Sequence, residues 1–431
     1  MRGQNESYIY NPAEDGWVTL PAAGLAAALG AGTCGAASTF SIGTATGAAS
    51  LTATGGTTST IITNQTLARD LRGYRVHIMA GPNAGAVLDI VSNTIGANAV
   101  VTVAAQASAF SASTVYRLLT PTWYVCVNGS TAAASFRKYD LATNTWTTLA
   151  NMPASFGIDA KLVATPSILD SSFRLFATGT ATSATTTTLV QTSKTWTASQ
   201  WINSQVRITA GTGAGQIRTI SANTADTLTV SAAWTTTPDN TSQYAIEGND
   251  DFLYLLGNNA VTMYRYSISA NTWTTLSPVA ARAAAPGTGM SAHWVHSAPE
   301  IDWNNESSIQ NGRFIYSFQG AASAALHRYD IAANTWATIT YSPAAEVFTT
   351  GTKYVLHNGT LYIQRDTTGR WFAYDFARSE MFPWSTMLYP QGGAVIGEAS
   401  FDVIYKDGAT DIFYVYMILN ASNILLRQMV I

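Results

Sequence analysis

One stretch of the chain gathers the residue types that chemistry most often uses. His293-Trp294-Val295-His296 is followed by Glu300-Ile301-Asp302-Trp303, within a connection that reads as running from Ala283 to Asn311. Histidines three apart share a metal only on a helix or a bent loop, and a metal site needs further well-placed ligands. Glu300 and Asp302 would share one face of an extended segment, as paired acids for proton transfer do. Trp294 and Trp303, if exposed, offer faces on which a sugar ring stacks. The competing reading is a solvated loop whose tryptophans pack on the body of the protein. Long connections often carry a protein's specific contacts, so a ligand would be sought here first. The residue set falls short of a catalytic or metal centre, and no cofactor is expected.

Two further groups invite chemistry. Gly81 and Gly85 punctuate one strand pair, and Gly211, Gly213 and Gly215 punctuate another. A phosphate loop needs free N–H groups and a following helix N-terminus. Here Gln216-Ile217-Arg218-Thr219-Ile220 continues as a strand, and Pro82 removes one donor. The glycines therefore predict hairpin turns. Cys34 and Cys126 are the chain's two cysteines, and they stay open between a disulfide and two small buried residues.

What must position these groups is a repeat. Arg328-Tyr329-Asp330-Ile331-Ala332-Ala333-Asn334-Thr335-Trp336 returns as Lys138-Tyr139 through Asn144-Thr145-Trp146, and as Arg265-Tyr266 through Asn271-Thr272-Trp273. Looser copies are Tyr10 with Trp17 and Tyr374-Asp375 with Met381. Each aromatic precedes its Trp or Met by seven residues. Tyr brings β-propensity, Asp and Asn make the turn, and Trp opens the next strand with a large apolar face. The recurring Tyr139, Trp146, Tyr266, Trp273, Tyr329 and Trp336 thus read as packing residues.

The pattern resembles the outer hairpin of a kelch repeat, which implies an all-β propeller. The expected fold is a kelch-like β-propeller of five blades, the alternative being a sixth split between the chain ends. Inner strands follow as Phe252-Leu253-Tyr254-Leu255, Phe314-Ile315-Tyr316 and Leu361-Tyr362-Ile363, and three strands near the C-terminus await a hairpin from residues 8–20. Propeller enzymes carry marks to look for: no Asp-box of sialidase type recurs, and of the five scattered histidines only the cluster in the 283–311 connection could enter a copper-oxidase ligand set.

Two signatures lie much farther apart than one blade requires, because two inserts match each other. Tyr74 to Gly85 lies over Ser204 to Gly215, Val100-Val101-Thr102-Val103 over Thr227-Leu228-Thr229-Val230, and Tyr116 over Tyr244. Period-two alternation makes each insert a small β-module of about five strands. The expected organisation is propeller at 1–49, 121–179 and 249–431, with inserted modules at 50–120 and 180–248.

Composition narrows the function. Charged residues make up 11% of the 431 positions and the net charge is −3, against roughly 25% charged in ordinary domains. No basic run offers a field for nucleic acid. No apolar leader or spanning segment opens the chain, so neither secretory export nor a membrane span is expected. The inserts resemble small β-modules of tailed-phage virion proteins. That resemblance implies a non-enzymatic tail nozzle, tail tube or neck subunit, made in the host cytoplasm and assembling as a ring-like homo-oligomer with other virion proteins. The alternative is a propeller that binds or processes a host surface glycan through the 283–311 connection.

Overall fold

The structure, a computed structural model, describes residues 7–11, 16–20, 33–38, 51–72, 74–120, 122–127, 135–165, 175–258, 260–295, 314–343, 346–357, 359–365, 370–386, 404–406, 413–418 and 425–430. Every regular element among them is a β-strand, and the sheets form a β-propeller.

Four sheets have four strands each, in meander order. The first blade is Cys34–Ser38, Thr122–Val127, Ser135–Asp140 and Thr145–Thr148. The second is Lys161–Thr165, Phe252–Leu256, Met263–Ser267 and Thr272–Leu276. The third is His293–Val295, Phe314–Gly320, Ser323–Asp330 and Thr335–Ile339. The fourth is Lys353–His357, Thr360–Arg365, Arg370–Asp375 and Glu380–Thr386.

The repeat spacing has a direct cause. A residue and its partner seven positions on stand opposite each other across a four-residue turn. Tyr10 faces Trp17, Tyr139 faces Trp146, Tyr266 faces Trp273, Tyr329 faces Trp336 and Tyr374 faces Met381. In three of these pairs the ring centroids lie 5.1, 5.0 and 5.3 Å apart, tilted by 47°, 48° and 46°. The turn closes on an asparagine in the left-handed region, at φ 57°, 51° and 53° for Asn144, Asn271 and Asn334. Asparagine tolerates that conformation better than most residues do. Its side-chain oxygen accepts the hydroxyl of the signature tyrosine, at 2.7 Å from both Tyr266 and Tyr329. Asp140, Asp330 and Asp375 cap the turns by accepting two backbone N–H groups each. In the second blade Ser267 takes that place, and Asp251 reaches across to accept from Ser269 N–H at 2.7 Å.

Neighbouring blades meet through the same rings. Tyr266 packs edge-on against Phe136 of the first blade at 4.8 Å, and Tyr329 lies 6.2 Å from Tyr254 of the second. Tyr374 stands edge-on to Phe318 of the third at 5.7 Å. Such pairs add about 0.5–1.5 kcal/mol each beyond the area they bury.

The number of complete blades differs from the five or six expected. The terminal hairpin, Ser7–Asn11 with Gly16–Leu20, is a two-stranded sheet of its own. Ile404–Lys406, Phe413–Ile418 and Leu425–Val430 form a separate three-stranded sheet. The higher count required these two sheets to merge, and among the described residues no strand of one pairs with the other.

Each insert folds as seven strands, not about five. The first comprises Leu51–Thr52, Gly55–Gly56, Thr60–Ile62, Arg75–Ala80, Val87–Asn93, Val100–Val103 and Val115–Leu119. The second comprises Leu175–Thr180, Ser183–Ala184, Thr188–Val190, Gln205–Ala210, Ile217–Asn223, Thr227–Val230 and Gln243–Glu247. Numbered within its module, each sheet runs 1-7-4-5-6-3-2. The strands beyond the expected five are two or three residues long, too short to show a period. Both modules interrupt a blade between its first and second strands. In the third blade that same connection is residues 296–313, which lie outside the described set.

Candidate functional site

Of the candidate chemical residues in the 283–311 connection, the structure describes His293 and Trp294. His293-Trp294-Val295 is no loop but the first strand of the third blade, paired with Phe314–Tyr316. Period-two alternation is invisible in three residues, which is why it escaped the sequence. Trp294 is 1% exposed and belongs to the core between the second and third blades, so its indole offers no platform to a sugar. His293 faces the ring of Tyr354 at 6.0 Å. Burial, helped by the charge of Lys161, pushes His293 down to about 3, and burial with Arg282 pushes His327 down to about 4. Both imidazoles are neutral near pH 7. His296, Glu300, Asp302 and Trp303 lie outside the described residues. Among the described residues no group of three or more His, Cys, Asp or Glu side chains is placed to hold a metal.

The glycine turns are committed to hydrogen bonds of their own. In the first, the N–H groups of Ala84, Gly85 and Ala86 donate to Gly81, Ile78 and Asn83 carbonyls. In the second, Ala214, Gly215 and Gln216 donate to Gly211, Ile208 and Gly213. Gly81, Asn83 and Gly85 alternate with residues of negative φ, as do Gly211, Gly213 and Gly215. Alternation of this kind makes an anion nest only where the N–H groups are free, and those of residues 84–86 and 214–216 are spent.

The glycines serve contact between the modules. Gly85 and Gly215 sit at φ 89° and 90°. A Cβ on Gly85 would collide with the backbone of Thr209, and one on Gly215 with the backbone of Met79. Gly85 matches Gly215 and Thr209 matches Met79 in the duplication, so the contact is reciprocal. The two modules therefore meet through equivalent surfaces, as the halves of a two-fold dimer do.

A polar clasp flanks this contact. Arg207 of the second module donates Nη1 to the carbonyl of Gly85 at 2.8 Å. The same guanidinium grips Glu247 with both remaining arms, at 2.7 and 3.2 Å. Bidentate pairs of this type are the strong, directional ones. Beside it, Arg117 from the last strand of the first module lies 3.4 Å from Asp250, whose side chain is fully buried. Gln205 Nε2 donates to Asp250 at 3.0 Å and to Asn249 at 2.8 Å.

Asn249-Asp250-Asp251 is thus the junction of three bodies. Asn249 donates to Thr219 of the second module at 3.2 Å, Asp250 pairs with the first module, and Asp251 caps the outer turn of the second blade. Burial raises the Asp251 carboxyl above its ordinary value despite those hydrogen bonds. Two lesser ties seat the modules on the propeller. Arg69 donates to Tyr139 and Asn144 of the first blade, and Asn203 donates to the Ile331 carbonyl of the third. Sequence alone shows three polar residues before a strand, which reads only as a turn. The partners of Asp250 lie too far along the chain to be inferred.

The chain matches no protein-family model and no curated protein. Among solved structures it is similar to YjhT, with 12% identity over 68% of both chains and a TM-score of 0.32. It is similar to the phage phi92 endosialidase, with 13% identity over 82% of this chain and 63% of the other, at a TM-score of 0.23. An auxiliary nutrient binding protein of Bacteroides ovatus matches with 9% identity over 88% and 67%, at 0.25. Likeness at this level assigns no activity to this chain.

Proposed function

We propose that the chain is a structural subunit of a tailed-phage virion, with the propeller as a rigid platform and the paired modules as its docking element. The observation that carries this reading is the reciprocal contact at Gly85 and Gly215, flanked by the buried Arg117–Asp250 pair. It turns two inserts into one stiff outgrowth fixed to two blades, which suits a part that transmits load rather than one that turns over substrate.

Composition supports the same reading. A surface built from Thr, Ser, Asn and Ala, with 11% charged residues, costs little to desolvate against a neighbour. The modules also differ where they face solvent. Val91 and Ile95 of the first module are 56% and 66% exposed, whereas Ser221 and Ala225 stand at the matching places of the second. A large apolar tip on one module and a tip of small residues on the other make the two surfaces unlike, as a head-to-tail contact between copies requires, the geometry that closes rings.

Size-exclusion chromatography with light scattering, followed by negative-stain imaging, tests the reading. Ring-shaped homo-oligomers, or recovery of the chain in purified phage tails, support it. A chain that stays monomeric at high concentration and is missing from tails overturns it.

A further inference from the structure

The chain has two cysteines in 431 residues, and the fold sets them side by side. Cys34 and Cys126 are register partners on the first two strands of the first blade, both free thiols. Directly opposed residues on antiparallel strands point to one face with Cβ atoms about 4.5–5.5 Å apart. A disulfide asks for about 3.5–4.5 Å, a small closing movement for an edge strand against its inner neighbour. We propose that Cys34 and Cys126 form a cross-strand disulfide when the chain meets an oxidising medium, stapling the first blade across its inserted module.

The place is one where a staple has work to perform. The edge strand reads Cys-Gly-Ala-Ala-Ser, the least apolar first strand of the four blades, with no branched or aromatic side chain to bury. Its partner strand follows only after the whole first module. A bond between positions 34 and 126 closes that long loop and takes its closure entropy out of the unfolded chain.

The two thiols have different parts. Cys34 is partly exposed and meets the oxidant, whereas Cys126 is fully buried. With glutathione disulfide as oxidant, Cys34 loses its proton and its sulfur attacks one glutathione sulfur, releasing the first glutathione thiolate. Cys126 then loses its proton and attacks the Cys34 sulfur, releasing the second. Two S–H bonds and one S–S bond break, one protein S–S bond forms, and the two electrons leave on two glutathione thiols. Burial and the neighbouring Cys34 sulfur hold the Cys126 thiol well above its ordinary value, so the second step is the slow one and quickens as pH rises.

The full chain is incubated with glutathione disulfide and followed by intact mass, peptide mapping and thermal unfolding. The expected product has lost the mass of two hydrogens, yields one peptide pair linked through Cys34 and Cys126, and unfolds roughly 5 °C higher. Dithiothreitol reverses the shift, and the Cys34→Ser chain shows none. A lasting glutathione adduct, dimers linked between chains, or two thiols that remain titratable overturns the proposal.

Discussion

Arg117 and Asp250 lie 133 positions apart, yet their charged groups meet at 3.4 Å with the carboxylate fully buried. The pair joins the last strand of the first module to the segment that leads out of the second. Removing one partner strands a buried charge, which costs about 3–5 kcal/mol. Arg117→Ala and Asp250→Ala are each expected to lower the urea midpoint strongly and to speed amide exchange in residues 115–119. Arg117→Met combined with Asp250→Leu should recover much of the loss, since neither charge then remains to be desolvated. An unchanged midpoint in both single variants would show that the pair does not hold the modules.

The module contact makes a separate prediction. Gly85 and Gly96 both have positive φ, at 89° and 110°. A Cβ on Gly96 meets nothing within 4 Å, whereas one on Gly85 runs into Thr209. Gly96→Ala should therefore show only backbone strain, about 1–2 kcal/mol. Gly85→Ala and Gly215→Ala should exceed it clearly, and each should raise exchange in both modules. If the three substitutions behave alike by chemical denaturation, the two modules do not bear on each other.

How much of this was legible follows from sequence distance. The blades could be read because Tyr139 and Trp146 are partners across one turn, so register and spacing are the same fact. The duplication could be read because Val206, Ile208, Leu228 and Val230 keep period two on a buried face. Arg117–Asp250 and Gly85–Thr209 could not, because they depend on how two modules sit on a propeller. His293-Trp294 misled for another reason: a three-residue strand carries no period, and a buried Trp looks the same in sequence as an exposed one. The blade count failed at the ends, where closure depends on pairing between termini.

Acid sensitivity should come from the buried histidines. Their folded values, about 3 for His293 and about 4 for His327, lie below the unfolded value of about 6.5. The unfolded chain therefore binds protons first as pH falls, and the folded state loses stability from about pH 6.5 down toward the folded values. Above that window the contribution is fully present. Between pH 7 and 4.5 the expected loss is on the order of 3 kcal/mol for each fully neutral imidazole, read from urea midpoints. His327→Gln keeps a polar partner for Gln319, which stands 3.1 Å from the ring, and should flatten the pH dependence. A wild-type midpoint constant over this range would remove the histidines from the account.

The last prediction concerns assembly. Val91 lies on the strand Val87–Asn93 and Ile95 just beyond it, both pointing largely into solvent. Burying the remaining exposed part of two such side chains against a neighbour is worth about 1–2 kcal/mol each. Placing carboxylates there instead removes that gain and adds a desolvation cost, while the module's own core, built on Ile90, Val101 and Val103, is untouched. The Val91→Asp, Ile95→Asp chain should keep the wild-type unfolding midpoint and lose its higher oligomers in light scattering. The matching Ser221→Asp, Ala225→Asp chain probes the other half of a head-to-tail contact and should also weaken assembly. If both variants assemble as wild type does, copies of the chain meet through some other surface, and the apolar tip of the first module serves no interface between them.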